Sequence, residues 1–133
     1  MTLTIFWIVV AAFVFAALIL DEPIFIENKI WPRFNFVGLS FFPFIFLRID
    51  RDVDEPLIRH EMIHWYRTKK FLAIPWFLFY GANFLFNVFR YKFDFYEAYR
   101  NGYEEIVARD NANNEDYLPD HLEVLVKEQA KKI

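Results

Sequence analysis

The sequence predicts a mainly helical α+β protein: an N-terminal transmembrane helix, a short β-hairpin, and a three-helix unit with the motif HExxH on its first helix. Three observations carry this. The first 20 residues contain no charged side chain, residues 34–49 alternate aromatic and β-branched residues with turn formers, and His60-Glu61-Met62-Ile63-His64 sits in a helical pattern. Composition agrees. Hydrophobic residues make up 56% of the 133 and 18 are phenylalanine, more large rings than so small an interior can hide from water, so lipid contact is expected. A formal charge of −3 and the absence of a basic stripe exclude nucleic acid as a partner, and the absence of cysteine excludes disulfides and thiolate metal sites.

Residues 1–20 would be about 30 Å long as a helix, the thickness of a bilayer core. No basic residue precedes this stretch and no small-x-small site comes before Asp21-Glu22, so an uncleaved anchor is expected rather than a signal peptide. Residues 21–133 then form one membrane-associated domain. Basic residues lie only after the anchor, from Lys29 and Arg33 through Lys69 and Lys70, which places the domain in the cytoplasm by the positive-inside rule, with a bacterial inner membrane as the expected location.

Ile24-Phe25-Ile26, Phe34 to Leu39 and Phe44 to Ile49 read as short strands punctuated by Gly38, Ser40 and Pro43, a small antiparallel sheet or hairpin. Asp52-Val53-Asp54-Glu55-Pro56 is a helix start, with acids for the first turn and proline at an early position; the helix runs to about Lys70, where Arg67, Lys69 and Lys70 complement its dipole. Phe71 to Tyr91 is a second apolar stretch interrupted by Pro75, Gly81, Asn83 and Asn87. A further helix runs from about Phe93 to Asn111, and a charged helix begins at Pro119.

On a helix, residues four apart share a face, so His60 and His64 can point at one Zn²⁺ while Glu61 takes a proton from a water beside it. A catalytic zinc site needs a third protein ligand. His121, the remaining imidazole, lies in a polar C-terminal segment, and the motif lacks the glycine and third histidine of metzincins. A glutamate on a later helix is the gluzincin arrangement. Glu105 is the first choice, since Glu105-Ile106-Val107-Ala108 has the Glu-x-x-Ala spacing common in that class; Glu104 is the second. Asp110 is a candidate partner for a ligand histidine. Tyr99, Tyr103 and Tyr117 are candidate donors to an oxyanion, although with seven tyrosines and a membrane interface to populate, interfacial anchoring is the more ordinary role for each. Glu61-x-x-His64 is also the spacing of di-iron bundles, but no second such pair exists.

The third ligand constrains topology. Were Phe71–Tyr91 a straight span, Glu105 would lie across the bilayer from His60 and His64. In a hairpin, Glu105 sits roughly 16 Å along its helix and the histidines roughly 6–12 Å along theirs, levels that match within about a turn.

The segment Leu57-Ile58-Arg59-His60-Glu61-Met62-Ile63-His64, the stretch Ile74-Pro75-Trp76-Phe77, Ala98-Tyr99-Arg100 and Asp116-Tyr117-Leu118 resemble a group of small, uncharacterised bacterial membrane-associated HExxH proteins, as do Gly38-Leu39 and Phe42-Pro43-Phe44-Ile45-Phe46. The resemblance covers roughly residues 34–118 and implies a zincin-like unit of gluzincin type. It further implies a zinc metallopeptidase with His60 and His64 as ligands and Glu61 as base, acting on a peptide or membrane-protein substrate at the bilayer. The chain departs from the pattern at Arg67, where glutamine is usual, and at Val107, where an acid is usual. The contrasting expectation is a degenerate, non-enzymatic membrane scaffold or partner-binding protein. Nothing in the sequence specifies an oligomeric state.

Overall fold

The computed structural model describes residues 2–28, 37–48 and 53–132. Helix α1 (Thr2–Ile19) is followed by strands β1 (Ile24–Asn28), β2 (Gly38–Phe41) and β3 (Phe44–Arg48), and then by helices α2 (Glu55–Lys70), α3 (Ile74–Arg90), α4 (Phe95–Arg100), α5 (Tyr103–Asn111) and α6 (Asp120–Lys132). The protein is therefore mainly helical, with one apolar N-terminal helix and a small three-stranded sheet. Phe34–Phe36, Ile49 and Asp52, which the sequence reading places in strands and at a helix start, lie outside the described residues.

α1 is long and apolar enough to cross a membrane, a property that a signal sequence shares, and its side chains are almost all exposed. Its C-terminal end is held against the domain. Lys69 Nζ donates to the Ala17 carbonyl at 2.7 Å, and that carbonyl is one of those a helix end leaves without an intrahelical donor.

The sheet has the order β1-β3-β2. β2 and β3 form the expected hairpin around Phe42-Pro43, but β1 pairs with β3 in parallel, Ile24 opposite Phe44 and Asn28 opposite Arg48. This corrects the all-antiparallel expectation: β1 and β3 are not joined by a tight turn, and β2 comes between them in sequence, which leaves room for a parallel pairing. Among the described residues, β2 lies at an edge of the sheet.

α2 is the centre of the fold. Asp54 caps it by accepting from Leu57 N at 3.0 Å, worth about 1 kcal/mol, and Pro56 occupies an early position where no amide donor is missed. Ile58, Met62, Ile63 and Trp65 are fully buried against Phe42, Ile45 and Leu47 of the hairpin and Leu122 and Val126 of α6. The Trp65 indole N–H donates to the Pro43 carbonyl at 3.0 Å, tying helix to hairpin turn. Arg59, 2% exposed, donates through Nε to Glu123 at 3.0 Å, through Nη1 to the Ala112 carbonyl at 2.8 Å and through Nη2 to Glu55 at 2.8 Å, so one guanidinium fixes α6 and the end of α5 on α2.

α3 turns the chain back, as the third-ligand argument requires. Two of its polar residues explain how. Asn83 Oδ1 accepts from the Tyr103 amide at 2.7 Å, capping α5 from a neighbouring helix, and Asn87 Nδ2 donates to the Ala98 carbonyl at 3.2 Å. At Gly102 a Cβ would lie 3.2 Å from the Tyr99 carbonyl, a tight approach that glycine relieves where α4 gives way to α5. The single helix expected over Phe93–Asn111 is two, α4 and α5, separated at Asn101-Gly102. The break frees the Tyr103 amide to take the Asn83 cap. The opposite face of α3 exposes Leu78, Leu85, Phe86 and Phe89.

Candidate metal centre

His60 and His64 lie four residues apart on α2 and Glu105 is in the first turn of α5, where a carboxylate also favours the helix dipole. The three converge. His60 Nε2 is 3.2 Å from His64 Nε2 and 3.1 Å from Glu105 Oε2, and His64 Nε2 is 3.1 Å from Glu105 Oε1. These residues can hold a metal ion. Ligands about 2.0–2.1 Å from a tetrahedral centre stand about 3.3–3.4 Å from one another; the two imidazole nitrogens, 3.2 Å apart, are near that spacing, while each meets a different oxygen of the Glu105 carboxylate.

Glu104, the second choice, faces elsewhere. It receives two bonds from Arg67, Nε to Oε2 at 2.6 Å and Nη2 to Oε1 at 3.0 Å, while Arg67 Nη1 donates to Tyr117 Oη at 3.2 Å. This fork gives Arg67 and Glu104 a joint role: with one glutamate locked to α2, its neighbour Glu105 is rotated toward the histidines. It also holds the Arg67 charge well above its ordinary range. Ala108 is fully buried in the core, as close approach of the two metal-bearing helices demands. Asp110 is exposed and makes no contact with either histidine, contrary to the expected supporting role. His121 lies apart, its Nε2 3.2 Å from the Asp21 carbonyl.

The support for the cluster comes instead from Tyr80 on α3, which the sequence reading did not single out. Its hydroxyl donates to Glu105 Oε1 at 2.9 Å, its ring stacks on Trp76 at 5.0 Å, and it meets His64 edge-on at 6.5 Å. Burial and the Glu105 charge push the Tyr80 phenol up, so it remains a donor. Tyr99 of α4 is likewise raised, burial being the main cause and the nearby Glu105 charge the next. Tyr117 serves Arg67, and Tyr103 is exposed.

The electrostatics follow from burial against pairing. Burial alone would raise the Glu105 carboxyl, but its bonds from His60 and His64, with the His64 charge and the Tyr80 hydroxyl, hold it well below the usual carboxylate range. Burial likewise pulls His64 down, and the Glu105 bond and charge, with Glu61 and Glu104, outweigh it to give a net upward shift. Glu61 goes the other way. Burial lifts it more than the neighbouring histidines and the Ser40 amide lower it, so its proton affinity is increased, the condition a general base needs near neutral pH. Nδ1 of His64 is buried and has no hydrogen-bond partner among the described residues.

Glu61 stands against β2. A Cβ at Gly38 would meet Glu61 Cγ at 3.1 Å, so glycine is what lets strand and base approach. On one side of Glu61 lies a pocket of about 290 Å³, and on the other a shallower one of about 380 Å³; Gly38, Glu61 and Tyr99 line both. A larger cavity of about 420 Å³ lies beyond, against Arg67 and Phe79, and touches none of the three metal-binding residues.

Comparison with protein-family models gave no match, and neither did comparison with curated proteins or with solved structures.

Proposed function

We propose that the protein is a membrane-bound zinc metallopeptidase with a zincin-like arrangement, cleaving a peptide segment at or near the bilayer. The observation that supports this most directly is the convergence of the His60, His64 and Glu105 side chains, in contact at 3.1 to 3.2 Å, beside a buried Glu61 of raised proton affinity.

His60 and His64 through Nε2, and Glu105 through its carboxylate, hold Zn²⁺. The metal supplies Lewis acidity toward the scissile carbonyl and toward water. Glu61 accepts a proton as the water oxygen attacks the carbonyl carbon, then delivers it to the amine nitrogen as the C–N bond breaks. Tyr80 orients Glu105 through the 2.9 Å bond. The free edge of β2 holds the substrate backbone by strand addition. Ser40 spends its amide on Glu61, so that amide points away from β3, and the alternation of an antiparallel ladder gives Gly38 the same outward direction.

In this reading α1 anchors the domain and the exposed face of α3 rests against lipid; the basic residues that follow α1 support a site on the cytoplasmic side of a bacterial inner membrane. The test is metal analysis of purified full-length protein with a peptide-cleavage assay. We expect stoichiometric zinc, lost in His60→Ala and His64→Ala, and zinc-dependent hydrolysis abolished in Glu61→Gln. Zinc retained with Glu61→Gln leaving every activity unchanged would make the metal structural. Failure to take up zinc would defeat the enzyme reading.

A further inference from the structure

The two pockets beside Glu61 are unlike one another, and the difference bears on what the cleft accepts. The pocket of about 290 Å³ is walled by Phe41, Trp76, Phe77 and Tyr80, and all four residues of β2 line it. That is the arrangement of a pocket running along a free strand edge, since one face of a strand would present only alternate residues. Its volume lies at the low end of the range of about 300–1,000 Å³ typical of ligand sites, enough for one large side chain and too little for a folded partner. The pocket beyond Glu61 is shallower and carries the exposed Arg109.

The aromatic pocket also has a direction relative to the membrane helix. Phe41 and Phe77 lie 5.6 Å apart, and Phe13 of α1 meets them edge-on at 6.2 and 5.6 Å. One wall of the pocket is thus continuous with α1. Trp76, which stands in this wall, is 7% exposed, and its indole N–H is buried without a hydrogen-bond partner among the described residues.

We infer that the cleft selects an extended peptide carrying a large apolar side chain, aromatic or leucine-like, beside the bond at Glu61, seated in the Phe41–Trp76–Phe77–Tyr80 pocket on the α1 side. This rests on the peptidase reading and names its substrate class: segments in which an apolar residue emerging from the bilayer adjoins more polar chain, which continues toward Arg109. The four aromatic side chains favour an apolar side chain there, and the Glu61 and Glu105 carboxylates that also line the pocket disfavour an acidic one.

The experiment uses full-length Glu61→Gln protein in lipid nanodiscs, with and without zinc, and short fluorescein-labelled peptides that differ at one central residue, Phe, Leu, Ala or Asp. Binding is read by fluorescence anisotropy. The Phe and Leu peptides are expected to bind at least tenfold tighter than the Ala and Asp peptides, and Phe41→Ala or Phe77→Ala to reduce that ratio below about threefold with zinc content unchanged. Phe41 is 51% exposed, so its truncation tests the pocket even if Phe77→Ala does not fold. Equal binding across the panel, or tightest binding of the Asp peptide, would overturn the inference while leaving the metal centre standing. A preserved Phe and Leu preference in a protein whose wild type cleaves none of these peptides would sink the hydrolytic reading and leave the pocket assignment intact.

Discussion

Replacing Tyr80 by phenylalanine removes one hydroxyl and nothing else from the site. That hydroxyl gives Glu105 Oε1 a 2.9 Å bond in a place where the carboxylate is 7% exposed. A hydrogen bond to a charged acceptor contributes about 1.5–3 kcal/mol, and loss of a partner supporting a metal ligand lowers metal affinity by about 10- to 100-fold, or about 1.4–2.7 kcal/mol. The two routes agree. The ring itself stays, stacked on Trp76 at 5.0 Å, so packing is unchanged. Zinc affinity of Tyr80→Phe, measured by competition with a chromophoric chelator, should therefore fall by one to two orders of magnitude. The melting temperature of the zinc-free protein provides the control for a purely structural effect. An affinity within about twofold of wild type would refute the placing of Tyr80 as the residue that orients Glu105, because at these magnitudes the lost bond could not be silent.

Gly38→Ala should lower the rate of peptide cleavage with little change in zinc content, since the new methyl, 3.1 Å from Glu61 Cγ, displaces the base and not the ligands; activity assays on zinc-loaded protein check this. Arg67→Ala strands Glu104, 3% exposed in its side chain, without its fork, and a broken buried pair of this kind costs about 3–5 kcal/mol, visible in denaturant unfolding and accompanied by weaker zinc binding as α5 loses its register. Zinc affinity should rise with pH. His64 has a raised pKa, so its proton competes with the metal until the pH passes that raised value, which lies above the ordinary 6.5, and the dependence then levels off; titrations across that range read the slope. In the zinc-free protein, the same pair sets a stability window. The Glu105 contribution is present above its ordinary 4.5 and lost as pH falls through its depressed value, and the His64 contribution is complete below 6.5 and lost as pH rises through its raised value.

The clustering of His60, His64 and Glu105 was legible because each part follows from helical period. Two histidines at i and i+4 share a face whatever the surroundings, and a glutamate three residues before a small residue marks a helix able to pack close beside them. Its support was not legible. Tyr80 is one of seven tyrosines and sits in an aromatic stretch, where a single hydroxyl carries no signal. A signal did exist in combination: Trp76, Tyr80, Asn83 and Asn87 recur at helical spacing, and the two asparagines in an apolar helix mark the face that must meet polar groups. The pairing of β1 escaped for another reason. Ile24-Phe25-Ile26 states that a strand is present, but strand direction is decided by a crossover of many residues and by the hairpin it docks on, which no local pattern encodes. Arg67 and Glu104 read in the sequence as a departure and a rival ligand, and only their mutual fork shows that each accounts for the other.

The most direct measurement is the zinc stoichiometry of the full-length protein beside Glu105→Ala, with the cobalt-substituted proteins compared by visible spectroscopy. About one tightly held zinc per chain, a tetrahedral cobalt spectrum, and loss of both in Glu105→Ala are expected if α5 supplies the third ligand. Zinc held equally well without the Glu105 carboxylate, or an octahedral cobalt spectrum in the wild type, would contradict a centre built from His60, His64 and Glu105.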